Sequence, residues 1–255
     1  MQALIEAVYP PHCLACSEVV ASAGGLCTSC WSEAIFLAGP VCDSCGVPIL
    51  APHHIEGQAT CDTAALRCDD CQTIARPWRR GRSAMAYAGT GRRLALALKN
   101  ADRTDLPRAA AAWMLRAGAP ILAPDMLVAP VPLHWLRLFK RRYNQAALLS
   151  QAIAKQAGFD HCPDLLRRLR ATPSQDGRSQ AERFANLANA IDVHPRHTDM
   201  IAGRTVLLVD DVMTTGATLA ACAEACLAAG AQEVRILALA RVVKDSYIGR
   251  KSDQE

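Results

Sequence analysis

Two groups of residues in this 255-residue chain have types and spacings suited to chemistry. The first is a set of four CxxC pairs: Cys13/Cys16, Cys27/Cys30, Cys42/Cys45 and Cys68/Cys71. A CxxC turn presents two thiolates from one knuckle, and two knuckles complete a tetrahedral zinc site. Taken in order, the first two knuckles are separated by ten residues (17–26) and the last two by 22 (46–67). Those gaps bracket the usual zinc-ribbon range and predict two structural Zn2+ ions, with a cross-braced pairing as the alternative. A closed tetrathiolate leaves no open coordination position, so no catalysis is expected at zinc. Cys61, His53 and His54 lie in the longer gap and are expected as loop residues, because four cysteines already fill a tetrahedron.

The second group is the stretch Val206–Leu219, VLLVDDVMTTGATL. A buried strand is predicted to end in Asp210 and Asp211. After a short turn, Thr214, Thr215, Gly216, Ala217 and Thr218 open a helix. Free backbone N–H groups and the positive end of the helix dipole favour an anion there. Gly216 lets backbone approach a ligand, and the threonine hydroxyls add donors. The two carboxylates offer only acceptors, which suits a vicinal diol. Phosphate on the amides and diol on the acids together describe a ribose 5-phosphate.

These groups sit in two unlike halves. Of the 12 cysteines nine lie at or before Cys71, leaving Cys162, Cys222 and Cys226 for the rest. In a reducing compartment such packing points to metal ligands more than to disulfides. A cysteine-rich segment of about 60 residues with few large apolar groups needs such a staple to fold. The reading divides the chain into a double zinc ribbon over 1–75, an α/β body over 76–243 and a polar tail over 244–255. Hydrophobic residues make up 51%, which excludes a mainly disordered chain. No run of about 18 apolar residues appears, so no membrane insertion is expected. The N-terminal residues lack the basic flank and apolar stretch of a secretory signal, and a cytoplasmic location is expected.

The elements that must position the second group follow from apolar runs and their stops. Ala84–Tyr87 reads as a strand, followed by a helix through Arg92–Leu98. A helix fits Pro107–Arg116, with proline near its first turn, and Met126–Val131 is a proline-bounded strand. Asn144–Ala157 is a helix with Asn144 as N-cap and Gly158 as stop. Val206–Val209 is an unalternating run, as in a strand buried on both faces. Thr218–Ala229 is an Ala-rich helix ended by Gly230, and Glu233–Ala240 returns as a strand. The alternation predicts a parallel sheet flanked by helices, with the ligand outside its carboxyl end.

VLLVDDVMTTGAT resembles the phosphoribosyl pyrophosphate (PRPP) motif of type I phosphoribosyltransferases. The chain from the CxxC head to Arg241 resembles the ComF family of competence proteins, which joins a double zinc ribbon to a phosphoribosyltransferase-like domain. Lys99, Val128–Pro132, Arg142–Asn144–Gln145, Thr172–Gln175, Arg183 and Asn186 match further marks of that family. The chain departs from it at Arg142, where a glycine is usual, and at Arg178 and Asn189–Ile191. The resemblance implies that Asp210 and Asp211 hold the ribose hydroxyls and Thr214–Thr218 the 5-phosphate. Lys99 belongs to the same PRPP-binding set, and Arg141 or Arg142 neutralises pyrophosphate. Gln175 and Arg183 are lid candidates, and Mg2+ accompanies the pyrophosphate.

No residue set identifies an acceptor, so the resemblance leaves transfer catalysis open. Three functions compete. One is a PRPP-dependent phosphoribosyltransferase. A second is a DNA-uptake protein whose ribbons and basic loops grip single-stranded DNA, with uptake proteins as partners. The third is a zinc-ribbon adaptor. The formal charge of +4 falls to about zero once each of two tetrathiolate sites contributes about −2. Any grip on nucleic acid must therefore come from local clusters: Arg76, Arg79, Arg80, Arg82, Arg92, Arg93 and Lys99, then Arg137–Arg142, then Arg167–Arg170. Trp78, Trp135, Phe139 and Tyr143 lie among these residues. They fit either base stacking or, more simply, packing of the head on the body. Oligomeric state is not readable from the sequence.

Overall fold

The computed structural model describes residues 9–49, 66–99, 105–133, 143–169 and 190–244. Its central sheet takes the strands β1 (Arg80–Ala86), β2 (Leu127–Pro130), β3 (Asp160–His161), β6 (Thr205–Met213) and β7 (Glu233–Arg241). They pair in parallel in the order β1-β7-β6-β2-β3. A separate antiparallel pair joins β4 (Leu166–Arg168) to β5 (Ile191–Val193).

Helices α3 (Gly89–Ala97), α4 (Leu106–Gly118), α5 (Gln145–Ala157) and α7 (Ala217–Ala228) flank the sheet, and α6 (Thr198–Ile201) is a single turn. Local chemistry sets their ends. Asn144 accepts from Ala146 N at 3.0 Å, satisfying a first-turn donor of α5, and Gly158 stops that helix at φ 72°. Proline stands in the first turn of α4, where no helical N–H partner is lost.

Alternation along β6 divides the core in two. Val206 and Leu208 pack with Leu219, Cys222 and Cys226 of α7. Leu207 and Val209 pack with Leu106 and Met114 of α4 and Leu149 and Ile153 of α5. The chain leaves β6 through α7 toward β7 and leaves β2 through α5 toward β3. These crossovers lie on opposite faces, so the adjacent carboxyl ends of β2 and β6 form a switch point where open α/β sheets bind ligands.

Two expected strands are longer than their apolar runs. β6 continues past Asp211 because Val212 and Met213 pair with Ala240 and Arg241 of an equally long β7. β1 begins at Arg80, since Arg80 and Arg82 find their counter-charge in Asp43 of the head. The head also covers the outer edge of β1: Leu37 N donates to Ala84 O at 3.0 Å and Ala86 N to Ile35 O at 2.8 Å. A sheet edge left bare would expose unpaired donors and acceptors. Within the head, α1 (Thr28–Glu33) and α2 (Asp69–Thr73) each start at a cysteine, Cys27 and Cys68. Among the described residues, no helix is long and apolar enough to cross a membrane.

Candidate functional site

The eight cysteines converge in two quartets, Cys13/Cys16/Cys27/Cys30 and Cys42/Cys45/Cys68/Cys71, whose sulfurs lie within 4.8 Å of one another. This is the sequential pairing, so the cross-braced alternative does not hold. Cys16 Sγ and Cys27 Sγ are 3.6 Å apart, as are Cys45 Sγ and Cys68 Sγ. Tetrahedral zinc with sulfur at about 2.3 Å requires edges of about 3.8 Å, so both quartets fit that ion. Backbone N–H groups of Ala15 and Cys27 donate to Cys13 Sγ at 3.4 and 3.3 Å, support a thiolate needs. Four such thiols cannot ionise together without a cation. Hydrogen bonds from Cys45 and Cys71 hold Cys42 well below the ordinary thiol range, and the same Cys42 and Cys71 contacts push Cys45 far above it.

The second group occupies the turn from β6 into α7. Thr214 and Thr215 bridge the elements, and Gly216 caps the helix at φ 81°. A Cβ at Gly216 would lie 2.8 Å from Met213 Cε and 3.1 Å from Trp78 Cη2, so glycine is required twice over. Asp210, Val212 and Met213 with Thr214–Leu219 line a shallow concavity open to solvent. Ala217, Thr218 and Leu219, whose N–H groups lack an intrahelical acceptor in the first turn of α7, belong to that lining. Ala217 N donates to Thr215 Oγ1 at 3.4 Å in the free protein.

Asp210 Oδ1 accepts from Asp211 N at 2.9 Å, and Asp211 Oδ1 from Val212 N at 2.8 Å. Burial, and then the neighbouring Asp211 charge, push the Asp210 carboxyl well above its ordinary value. A hydrogen bond between the two carboxyls acts the same way, while the Asp211 N–H and Arg168 oppose it. Asp210 thus favours its protonated form more than an ordinary carboxyl does, and a ligand that donates hydrogen bonds or carries positive charge opposes that preference.

The structure brings together Asp210 and Thr214–Thr218 at one concavity, with Asp211 adjoining through its neighbour's carboxyl. Lys99 lies beyond the end of α3, half-buried, and does not line that space. Arg141, Arg142, Gln175 and Arg183 lie outside the described residues, as do Trp135, Phe139, Cys61, His53 and His54.

Two contacts were not readable from spacing. Arg76 Nη1 donates to Thr215 O at 2.9 Å across 139 positions of sequence, and Arg168 places its charge near Asp210. Trp78 is 4% exposed and donates its indole N–H to Ser44 O, so it packs head onto body and is closed to base stacking. Tyr143 is likewise engaged, donating to Leu98 O at 2.8 Å.

Cys162, Asp164 and His197 bring their polar atoms within 4.8 Å, but Asp164 is committed to Arg196 and His197, an ion-pair network pinning β3 to the turn after β5. An apolar groove between head and α4 is lined by Trp31, Phe36 and Trp113 together with Arg80 and Arg82, both held by Asp43.

A double zinc ribbon domain matches residues 4–72, and a phosphoribosyl transferase domain matches residues 119–253, more than half of the chain. The chain belongs to the ComF family. The DNA utilization protein YhgH of Salmonella typhimurium is 31% identical over 241 residues, covering 92% of this chain and 98% of that protein. YhgH of Escherichia coli K12 is 30% identical over 225 residues, covering 86% and 91%. Competence protein F of Haemophilus influenzae is 36% identical over 118 residues, covering 46% and 51%. Among solved structures, glutamine PRPP amidotransferase from B. subtilis is similar at 20% identity and a TM-score of 0.36, over 54% of this chain and 27% of that one. As a ComF-family member the chain combines two cysteine quartets that fit structural zinc with a phosphoribosyltransferase-type parallel sheet.

Proposed function

We propose that this chain binds PRPP or a related ribose 5-phosphate at the turn from β6 into α7, in the service of DNA uptake or utilization. One observation carries the reading: Asp210 and the residues that open α7, Thr214–Thr218, line one concavity, with Asp211 adjoining. The 5-phosphate sits on the amides of Thr215–Thr218, where backbone dipoles supply fixed positive charge without reorganisation. The ribose hydroxyls donate to Asp210 and Asp211. Bound pyrophosphate would bring Mg2+, which would supply positive charge against the phosphate oxygens while Asp210 and Asp211 hold the ribose hydroxyls. The link to DNA rests on what the YhgH and Competence protein F relatives are named for.

Calorimetric titration tests this. Asp210→Asn with Asp211→Asn removes both charged acceptors and is expected to weaken PRPP binding at least about tenfold, at ~1.4 kcal/mol per decade, with zinc content unchanged. Unchanged affinity overturns the assignment.

The pH dependence has a defined sign. Asp210 keeps its proton to a higher pH folded than unfolded, so the folded protein binds the extra proton between those values. Stability from this group therefore declines as pH rises from its unfolded value through its folded value. Diol binding favours the ionised pair, so affinity rises with pH over the same window. Asp210→Asn should flatten that rise, and an equal slope in both proteins contradicts it.

A further inference from the structure

We infer that the second zinc ribbon is part of the ligand site: its ion fixes the Cys42–Cys45 knuckle, and through Trp78, Arg76 and Arg241 that knuckle holds the loop Thr214–Gly216 in its binding conformation. This rests on the site assignment above and adds a metal dependence to it.

The links are short and continuous. Ser44, inside the Cys42–Cys45 turn and 4% exposed, receives the indole N–H of Trp78 on its carbonyl. The Trp78 ring lies against Gly216, with Cη2 3.1 Å from where a Cβ would stand. The Arg76 guanidinium stacks over Trp78 at 5.4 Å and donates to Thr215 O at 2.9 Å. On the other side, Arg241 pairs with Met213 in register, and Val242 N donates to Met213 O at 3.0 Å.

Arg241 is 5% exposed, and its Nε and Nη1 find no acceptor among the described residues. It lines one hollow with Cys68 of the second quartet, and its charge acts on Cys45. An uncompensated buried guanidinium is expensive, and a tetrathiolate ion carrying about −2 is the counter-charge this arrangement fits. Arg241 is thus held by the metal centre at one end and anchors the start of the loop at the other.

A loop that grips phosphate through backbone N–H groups must be held in one conformation before the ligand arrives, or binding bears the cost of ordering it. The loop's own side chains do little of this: Gly216 has none, and among the described residues the Thr215 hydroxyl meets Ala217 N. Trp78, Arg76 and Arg241 are positioning residues that supply the rest. The first quartet packs elsewhere: Leu14, inside its Cys13–Cys16 knuckle, lies with Leu207 and Val209 in the core on the other face of the sheet from Trp78 and α7. Coupling is reciprocal, so ligand must also retain the second zinc.

Hydrogen exchange and chelator challenge on the full chain test this, with ribose 5-phosphate as probe. In Trp78→Phe, which keeps the ring and loses the Ser44 hydrogen bond, the amides of residues 214–219 should exchange at least about fivefold faster while β7 amides and zinc content stay at wild type. Ribose 5-phosphate should bind at least about fivefold more weakly to this variant. Cys42→Ser should speed the same amides further, whereas Cys13→Ser should leave them unchanged while its zinc content falls by one. If Cys42→Ser does not fold, Trp78→Phe carries the comparison. With wild type, saturating ribose 5-phosphate should slow chelator release of one of two zinc ions.

Wild-type exchange at residues 214–219 in Trp78→Phe overturns the coupling even if ligand binds. Faster exchange there, with no ribose 5-phosphate binding by wild type, upholds the coupling and removes the ligand assignment instead. Equal protection of both ions, or of neither, in protein that binds the ligand also overturns it.

Discussion

The two cysteine quartets share ligand type and sulfur spacing, yet they are built into the molecule differently. The first keeps its buried cysteines in a small core of their own, joined to the body through Leu14, Ala15 and Leu26, and leaves Cys16 exposed. Its charged tie to the body is Arg93, which reaches Glu33, Thr90 and Cys30 from a half-exposed position. The second lies wholly inside: Cys42, Cys45, Cys68 and Cys71 belong to the same core as Val206, Leu208 and the buried face of α7. Asp43 beside it carries two arginines of β1, at 3.0 Å to Arg80 and 2.8 Å to Arg82. Gly81 comes so close that a Cβ would meet Ser44 O at 2.7 Å. Identical metal chemistry can thus serve as a local staple in one place and as a wall of the main core in another.

The largest separation of the two should come from removing one ligand of each. Cys42→Ser opens the body's own core as well as a metal site, and should destabilise the protein by on the order of 4 kcal/mol or more. Cys13→Ser should cost clearly less, because this quartet reaches the body's core through Leu14 and its neighbours and not through the cysteines themselves. Equal losses in thermal denaturation would erase the distinction.

Next comes the charge tie. Asp43→Ala strands two largely buried arginines and should destabilise by about 3 kcal/mol, whereas Glu33→Ala breaks an exposed pair worth about 0–1 kcal/mol. Urea titrations of the two variants check this, and a Glu33 effect as large as that of Asp43 contradicts it. The smallest effect concerns packing. Gly81→Ala drives a methyl into Ser44 O and the Ile236 side chain, and should lower stability by about 1–3 kcal/mol, while Gly39→Ala meets nothing within 4 Å and should differ only through its φ of 91°.

The sequence was most informative where function depends on local spacing. Four CxxC turns specified the metal quartets, because each ligand pair lies within one turn. The helix of Asn144–Gly158 was legible for the same reason, with cap and stop adjacent to the residues they act on. Reading failed where partners are distant. Nothing near Arg80 announces that Asp43 will neutralise it, so the start of β1 was missed, and Arg76 meets Thr215 across 139 positions. Trp78 among arginines admitted base stacking as a reading, and only burial against Ser44 shows that its indole is used internally. The DD–x–x–TTG string placed the turn at the end of β6, while the extra paired residues Val212 and Met213 depended on the length of β7.

A crystal structure with PRPP and Mg2+ tests the central claim most directly. If a ribose 5-phosphate docks here, the 5-phosphate will lie against the amides of Thr215–Thr218, and the two ribose hydroxyls will lie within hydrogen-bonding distance of Asp210 and Asp211. A fully occupied ligand bound anywhere else, with this turn empty, would contradict it.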